Sequence, residues 1–375
     1  MRIRRYLEDQ IQNDLKEKMV FLGGPRQVGK TFLTKQWIKK SSQYLNWDNS
    51  EDKKILLHHK IDPSLKLIIL DEVHKYKFWR SLIKGFYDKF FPDLNFIVTG
   101  SARLDYFRKG GDSLVGRYHY LRLHPLSVNE ISKKPTQEDV QNLLQFGGFP
   151  EAFVKKDAVH HQRWQLERTS RIIQQDLRDL ENVKDISLIE LLAGALKDKV
   201  GSPLSIKSFQ EDLQVSPMTI ERWVQILERI YFCYRISPYG APKIKAVKKT
   251  QKLYLWDWSE VEDLGAKFEN LVASQLLKFC HHQEDTLGLR TELRYFKDVV
   301  TEKEIDFIVL QKGKPLFAVE CKTGDREISS SFVKNCHRLK IPKFYQVHLG
   351  KKEHGLAEYG RVVPFYKFCQ ETKMP

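Results

Sequence analysis

The sequence predicts an α/β chain built on a parallel sheet, followed by a helical middle region and a second, C-terminal α/β domain. Three observations carry this reading. Short apolar runs alternate with helix-like segments through the first third: MVFLGG, YLNWD, LKLIILDE, LNFIVTGS and YHYLRLHPL. That alternation marks strands joined by crossover helices. A glycine-rich loop, GGPRQVGKTF, lies between the first strand and the first long helix-like stretch. Near the end, EIDFIVLQKGKPLFAVECKTG reads as two strands around a Lys312-Gly313-Lys314 turn.

The chain has 375 residues, more than one typical core accommodates. Four segments are expected: a sheet domain over 1–125, a helical lid or linker over 126–185, a helix-turn-helix unit over 186–258 and the last α/β domain over 259–375. There are 63 basic against 48 acidic residues, a net charge of +15. Such a surplus favours a polyanionic partner, nucleic acid first; a solvated, lysine-rich surface is the competing account. The five cysteines are scattered and form no C-x-x-C pair, against a disulfide framework or a zinc site. The opening MRIRRYLEDQIQNDL is charged almost at once, unlike a signal peptide, and no apolar run is long enough to span a bilayer. A cytoplasmic protein with no membrane partner is expected.

Gly24-Pro25-Arg26-Gln27-Val28-Gly29-Lys30-Thr31 fits G-x-x-x-x-G-K-[ST]. Glycines let consecutive N–H groups turn inward as an anion nest, and the following helix adds its positive end. Lys30 would reach the β- and γ-phosphates of ATP, and the Thr31 hydroxyl would bind Mg²⁺. In LIILDE, Asp71 emerges from a buried strand to hold Mg²⁺ through water. Glu72 follows as a general base for the attacking water. Thr99 and Ser101, in FIVTGS, are expected at the same edge as sensors of the γ-phosphate; Ser101 as a helix cap is the alternative. An arginine from a neighbouring subunit commonly neutralises the γ-phosphate. Arg117 is the first candidate, ahead of Arg103, Arg171 and Arg178.

Taken in order, GGPRQVGKT, LDEVHKYKFW, TGSARL, SLVGRYHYLRLHPLS and GGFPEAF resemble a widespread prokaryotic family of AAA-type P-loop ATPases carrying a C-terminal domain called DUF4143. The resemblance covers nearly the whole chain. It implies a P-loop NTPase core of the additional-strand class, then a winged helix, then a restriction-endonuclease-like fold. One stretch departs: LWDWSEV stands where family members often have LD followed by a Thr-Gly pair.

The residues of the last two segments agree with this. PLSIKSFQEDLQVSPMTIERWVQILERIYFCYRISPY has the look of a helix-turn-helix. Ser216 would cap the second helix and Pro217 open it. Ile220, Val224, Leu227 and Ile230 share one face, while Thr219, Glu221, Arg222 and Gln225 point outward, as in a helix that reads a major groove. Lys243, Lys245, Lys248, Lys249 and Lys252 follow with no acid among them, a basic wing for phosphates or a merely solvated one.

If the late hairpin is centred on Gly313, Asp306 lies opposite Glu320, and Glu320 shares its face with Lys322. Phe317, Val319 and Cys321 then face the core. Two carboxylates can hold a divalent metal, Glu269 on the preceding helix can complete the shell, and Lys322 can orient water. The set Glu269, Asp306, Glu320, Lys322 resembles the PD-(D/E)xK nuclease pattern; a salt bridge on an inactive nuclease fold is the alternative. His74, His281 and His282 form no metal set; the last two are expected as a solvated pair at a helix end.

The expected function is Mg²⁺-dependent ATP hydrolysis coupled to DNA binding or processing, in a homo-oligomer. The alternatives are an ATP-dependent regulatory switch or protein-binding module with an inactive nuclease fold, and a chaperone-like remodeller.

Overall fold

The computed structural model describes residues 3–38, 40–100, 114–176, 185–240, 251–298, 301–355 and 360–375. In the first third, α1 (Glu8–Asp14), β1 (Met19–Gly23), α2 (Lys30–Lys35), β2 (Ser42–Asn46), α3 (Ser50–Leu57), β3 (Leu67–Asp71), α4 (Trp79–Phe90), β4 (Asn95–Gly100) and β5 (Tyr118–Arg122) alternate as expected. The five strands are parallel in the order β2-β3-β4-β1-β5. β4 is therefore the additional strand, inserted between the glycine-loop strand β1 and the acidic strand β3. Val20–Leu22, Ile68–Leu70 and Phe96–Val98 are buried, because helices cover both faces of the sheet. Leu7, Ile11, Leu33 and Trp164 pack one face, and Leu56, Ile83 and Phe86 the other. Each such side chain contributes about 1.5–3 kcal/mol by burial.

The middle region is helical: α5 (Val128–Ile131), α6 (Gln137–Phe146), α7 (Pro150–Lys155), α8 (Ala158–Arg171), α9 (Ile186–Lys197), α10 (Ile206–Leu213) and α11 (Pro217–Arg229). Local chemistry sets the starts. Thr136 and Asp139 cap α6 reciprocally, Pro150 opens α7, and Asp157 accepts the His160 N–H at the head of α8. α8 widens into a π turn over Ile172–Asp176. Ser216 accepts the Thr219 N–H and Pro217 begins α11, as expected.

The chain then forms β6 (Cys233–Pro238), β7 (Lys252–Leu255), α12 (Leu264–Leu287), β8 (Thr291–Lys297), β9 (Glu304–Gln311), β10 (Lys314–Lys322), α13 (Ser330–Arg338), β11 (Phe344–His348), β12 (Arg361–Pro364) and α14 (Phe365–Glu371). Their strands make one sheet in the order β12-β11-β10-β9-β8-β6-β7. The division expected at 258/259 therefore runs through a continuous sheet, since β6 pairs with β8 at Ser237–Arg294 and Pro238–Tyr295. One hydrophobic core extends from Leu126, just ahead of α5, to Met374. All five cysteines are free thiols. Among the described residues no helix is long and apolar enough to cross a membrane.

The β9–β10 hairpin turns at Lys312-Gly313, both in left-handed backbone with φ of 50° and 80°. Its ladder begins Lys314–Gln311, slips by one residue between Pro315 and Phe317, and continues Val319–Phe307. One further step sets Asp306 opposite Glu320. Phe317 and Val319 face the core as expected, and Cys321 is half-buried.

Candidate functional site

The phosphate loop joins β1 to α2. Gly24, Gln27 and Gly29 have φ of 151°, 60° and 97°, a left-handed path that glycine takes without strain. A Cβ on Gly24 would stand 2.3 Å from the Leu123 carbonyl oxygen, so the loop also lies hard against the chain leaving β5. Lys30 is buried at the helix start and donates to the Gly24 and Pro25 carbonyls at 2.8 and 2.7 Å. Its ammonium is thus folded over the cradle that its own loop forms.

Parallel register brings β3 to the same edge. The Thr31 hydroxyl donates to Asp71 Oδ2 at 2.9 Å, and the Tyr44 hydroxyl donates to the same oxygen at 2.5 Å. Thr99 donates to Asp71 Oδ1. Thr99 is therefore a support of the aspartate, not a group held out toward a phosphate. Glu72 sits in left-handed backbone, φ 56°, unusual for a side chain of its size. His74 Nε2 lies 3.7 Å and Lys75 Nζ 3.9 Å from Glu72 Oε2, and Lys75 also pairs with Asp48 at 2.7 Å. Burial holds His74 below its usual range, against the pull of Glu72. Arg26, Lys30, Thr31, Asp71, Glu72 and Lys75 line a cavity of about 340 Å³. A hydroxyl backed by a carboxylate, beside a glycine cradle and a lysine, fits a Mg²⁺–triphosphate.

Other expected residues fall elsewhere. Ser101, Arg103 and Arg178 lie outside the described residues. Arg117 precedes β5 at the N-terminal edge of the sheet, opposite the loop, and is paired with Asp88 at 2.8 Å. Arg171 pairs with Glu167 on α8. His281 is not solvated at a helix end: its Nδ1 is 2.8 Å from Nε2 of buried His124.

A chain of charged groups leads away from the loop. Arg5, buried, donates to the Val28 carbonyl at 2.7 Å and to Glu130 Oε1 at 2.9 Å. Glu130 also accepts from Lys278 of α12. Burial would raise the Glu130 carboxyl, but Arg5 and Lys278 outweigh it and hold it at about 2. Burial pulls the Lys278 ammonium down to about 8, against the attraction of Glu130. Arg122 forms a second bridge, to Asp285 and Glu284 of the same helix.

On α11 the buried face is Ile220, Val224 and Leu227 as expected, with Trp223 and Ile226 added and Ile230 buried just past the helix end. Arg222 and Gln225 are exposed, whereas Glu221 and Glu228 are engaged by Arg235 of β6. Lys243, Lys245, Lys248 and Lys249 lie outside the described residues. Lys252 departs from the expected wing. It is buried, 2.9 Å from Glu304 Oε2 and 3.6 Å from Glu269 Oε1.

Lys252 thereby joins the C-terminal carboxylates. The Tyr254 hydroxyl donates to Glu269 at 2.8 Å, the Cys321 N–H donates to Asp306 at 2.8 Å, and Lys322 donates to Glu320 at 2.8 Å. Burial, then the neighbouring Asp306, pushes Glu269 and Glu320 each up to about 7. Among the described residues no three Asp, Glu, His or Cys side chains converge tightly enough to hold a metal ion. Glu269 and Glu320 each lie close enough to Asp306 to feel its charge, and Lys252 stands beside Glu269. Sequence reasoning missed Lys252, Tyr254 and Glu304 here, and Tyr44 and Lys75 at the loop. Each acts on a partner distant in sequence or through a side-chain reach that no motif encodes.

Two uncharacterized proteins are 23% identical to this chain. One, from Mycobacterium tuberculosis, aligns over 92% of this chain and 80% of its own length. The other, from Methanocaldococcus jannaschii, aligns over 91% and 82%. Among solved structures, the Aeropyrum pernix ORC1 protein in complex with DNA covers 72% of this chain and 93% of its own, with 11% identity and a TM-score of 0.32. A Pyrococcus horikoshii signal-transduction ATPase with numerous domains covers 77% and 48%, with 12% identity and a TM-score of 0.25. Residues 137–264 match a domain of unknown function, DUF8612. Residues 16–132 match the model of an AAA domain, and residues 264–368 match that of a domain of unknown function, DUF4143.

Proposed function

We propose that the chain is a Mg²⁺-dependent ATP hydrolase whose nucleotide state governs how its middle helices and C-terminal domain engage DNA. The observation that carries this is the meeting of Lys30, Thr31, Asp71 and Glu72 at one sheet edge beside the glycine loop. On binding, Lys30 exchanges the Gly24 and Pro25 carbonyls for β- and γ-phosphate oxygens. Thr31 and Asp71 would hold Mg²⁺, which would offset the charge of the phosphates. Glu72 takes the proton of the attacking water. Lys75, between Asp48 and Glu72, fixes the base and brings a second ammonium to the cavity. Arg117, at the far edge of the sheet, is assigned to the γ-phosphate of a neighbouring copy, which makes the working form a homo-oligomer.

The DNA half of the reading rests on the +15 charge, on Arg222 and Arg229 of α11, and on the lysines from 243 to 249 in the adjoining sequence. The Val28–Arg5–Glu130–Lys278 chain supplies a route from loop to α12. The test is ATP turnover by the full chain with and without DNA, across a salt series. Turnover stimulated by DNA and abolished by Lys30→Ala is expected. Turnover indifferent to DNA, with no salt-sensitive DNA retention, would remove the DNA half. Absence of nucleotide affinity would remove the whole.

A further inference from the structure

The C-terminal carboxylates already have a cation among them. Lys252 lies on β7, which sits at the end of the sheet order yet reaches over it: the Tyr254 and Phe307 rings are 5.7 Å apart. Lys252 and Tyr254 are two apart on one strand, so they share a face. From that face Lys252 meets Glu304 and Glu269, and Tyr254 donates to Glu269. The Lys252 side chain is only 3% exposed. A buried ammonium is costly unless paired and hydrogen-bonded, and here it is paired with carboxylates from β9 and α12. Burial opposes its charge, but Glu269, Asp306 and Glu304 overcome that and raise its affinity for the proton.

We propose that Lys252 is the resident cation of this cluster, occupying the electrostatic place of a divalent metal, so that the site is a salt-bridged clasp between β7, α12 and β9 rather than a metal-dependent hydrolytic centre. Asp306 Oδ2 accepts the Cys321 N–H and Glu320 Oε1 accepts from Lys322, while Glu320 Oε2 is buried without a hydrogen-bond partner. Space is also closed from behind: Gly201, at φ 73°, abuts the Glu269 carboxylate so tightly that a Cβ would stand 3.2 Å from it. The proposal does not depend on the ATPase reading.

The experiment is Mn²⁺ binding to the full chain without nucleotide, followed by the paramagnetic signal of free Mn²⁺ and by thermal melting. The unsubstituted chain should show no Mn²⁺ binding that Asp306→Asn removes. Lys252→Met should melt several degrees lower, and added Mn²⁺ should restore much of that loss, but not when Asp306→Asn is also present. Mn²⁺ binding by the unsubstituted chain that Asp306→Asn abolishes would overturn the proposal. So would a folded Lys252→Met chain that Mn²⁺ leaves unprotected. If Lys252→Met does not fold, the comparison of the unsubstituted chain with Asp306→Asn decides alone.

Discussion

Glu72 spends backbone energy to stand where it does. Its left-handed φ of 56° carries its carboxylate toward His74 and Lys75, on the cavity that Lys30 and Thr31 line. Glu72→Gln should keep ATP binding and lose turnover about 10²–10⁴-fold, as removal of a general base does, read as kcat against Kd. Lys75→Met should lower kcat with less effect on ADP affinity, measured by calorimetry beside turnover. Gly201→Ala should destabilise the chain by about 1–2 kcal/mol in urea, because it forces a left-handed side chain against Glu269. At this scale the loop was legible, since its glycines, Lys30 and Thr31 are contiguous and their spacing is dictated by one phosphate group. Lys252 was not. In sequence it completes a run of surface-like lysines, and only the path of β7 reveals that it is buried.

Elements were legible where one period governs them. The parallel strands read as apolar runs because both faces are covered, and α11 read as a helix with a capped, proline-led start. The hairpin is more instructive. A turn centred on Gly313 sets Asp306 opposite Glu320, but the turn is actually Lys312-Gly313, which would shift every pair by one. The slip between Pro315 and Phe317 restores the alignment. Deleting Leu316 should therefore move Glu320 and Lys322 out of step with Asp306, with a loss of folded C-terminal structure visible as lowered melting cooperativity. On α11, Arg235 draws Glu221 and Glu228 to itself, which neutralises two acids on the helix that carries Arg222. Arg222→Glu should weaken DNA retention and flatten its salt dependence.

Across the whole molecule the two sheets are tied through α12, by Glu130 with Lys278 and by Arg122 with Asp285. Glu130→Gln should cost about 3–5 kcal/mol near neutrality, the usual price of breaking a buried pair. The carboxyl is held at about 2 in the fold against an ordinary 4.5. Its contribution is thus fully present above about 4.5 and lost as pH falls through about 2. The melting gap between Glu130→Gln and the unsubstituted chain should narrow over that acid window.

The shared sheet has a practical side for anyone dividing the protein. A fragment begun at residue 259 would strip β6 and β7 from their neighbours, bare the flank of β8 to self-association, and leave Glu269 and Glu304 without Lys252. A cut ahead of α9, near residue 185, spares all three.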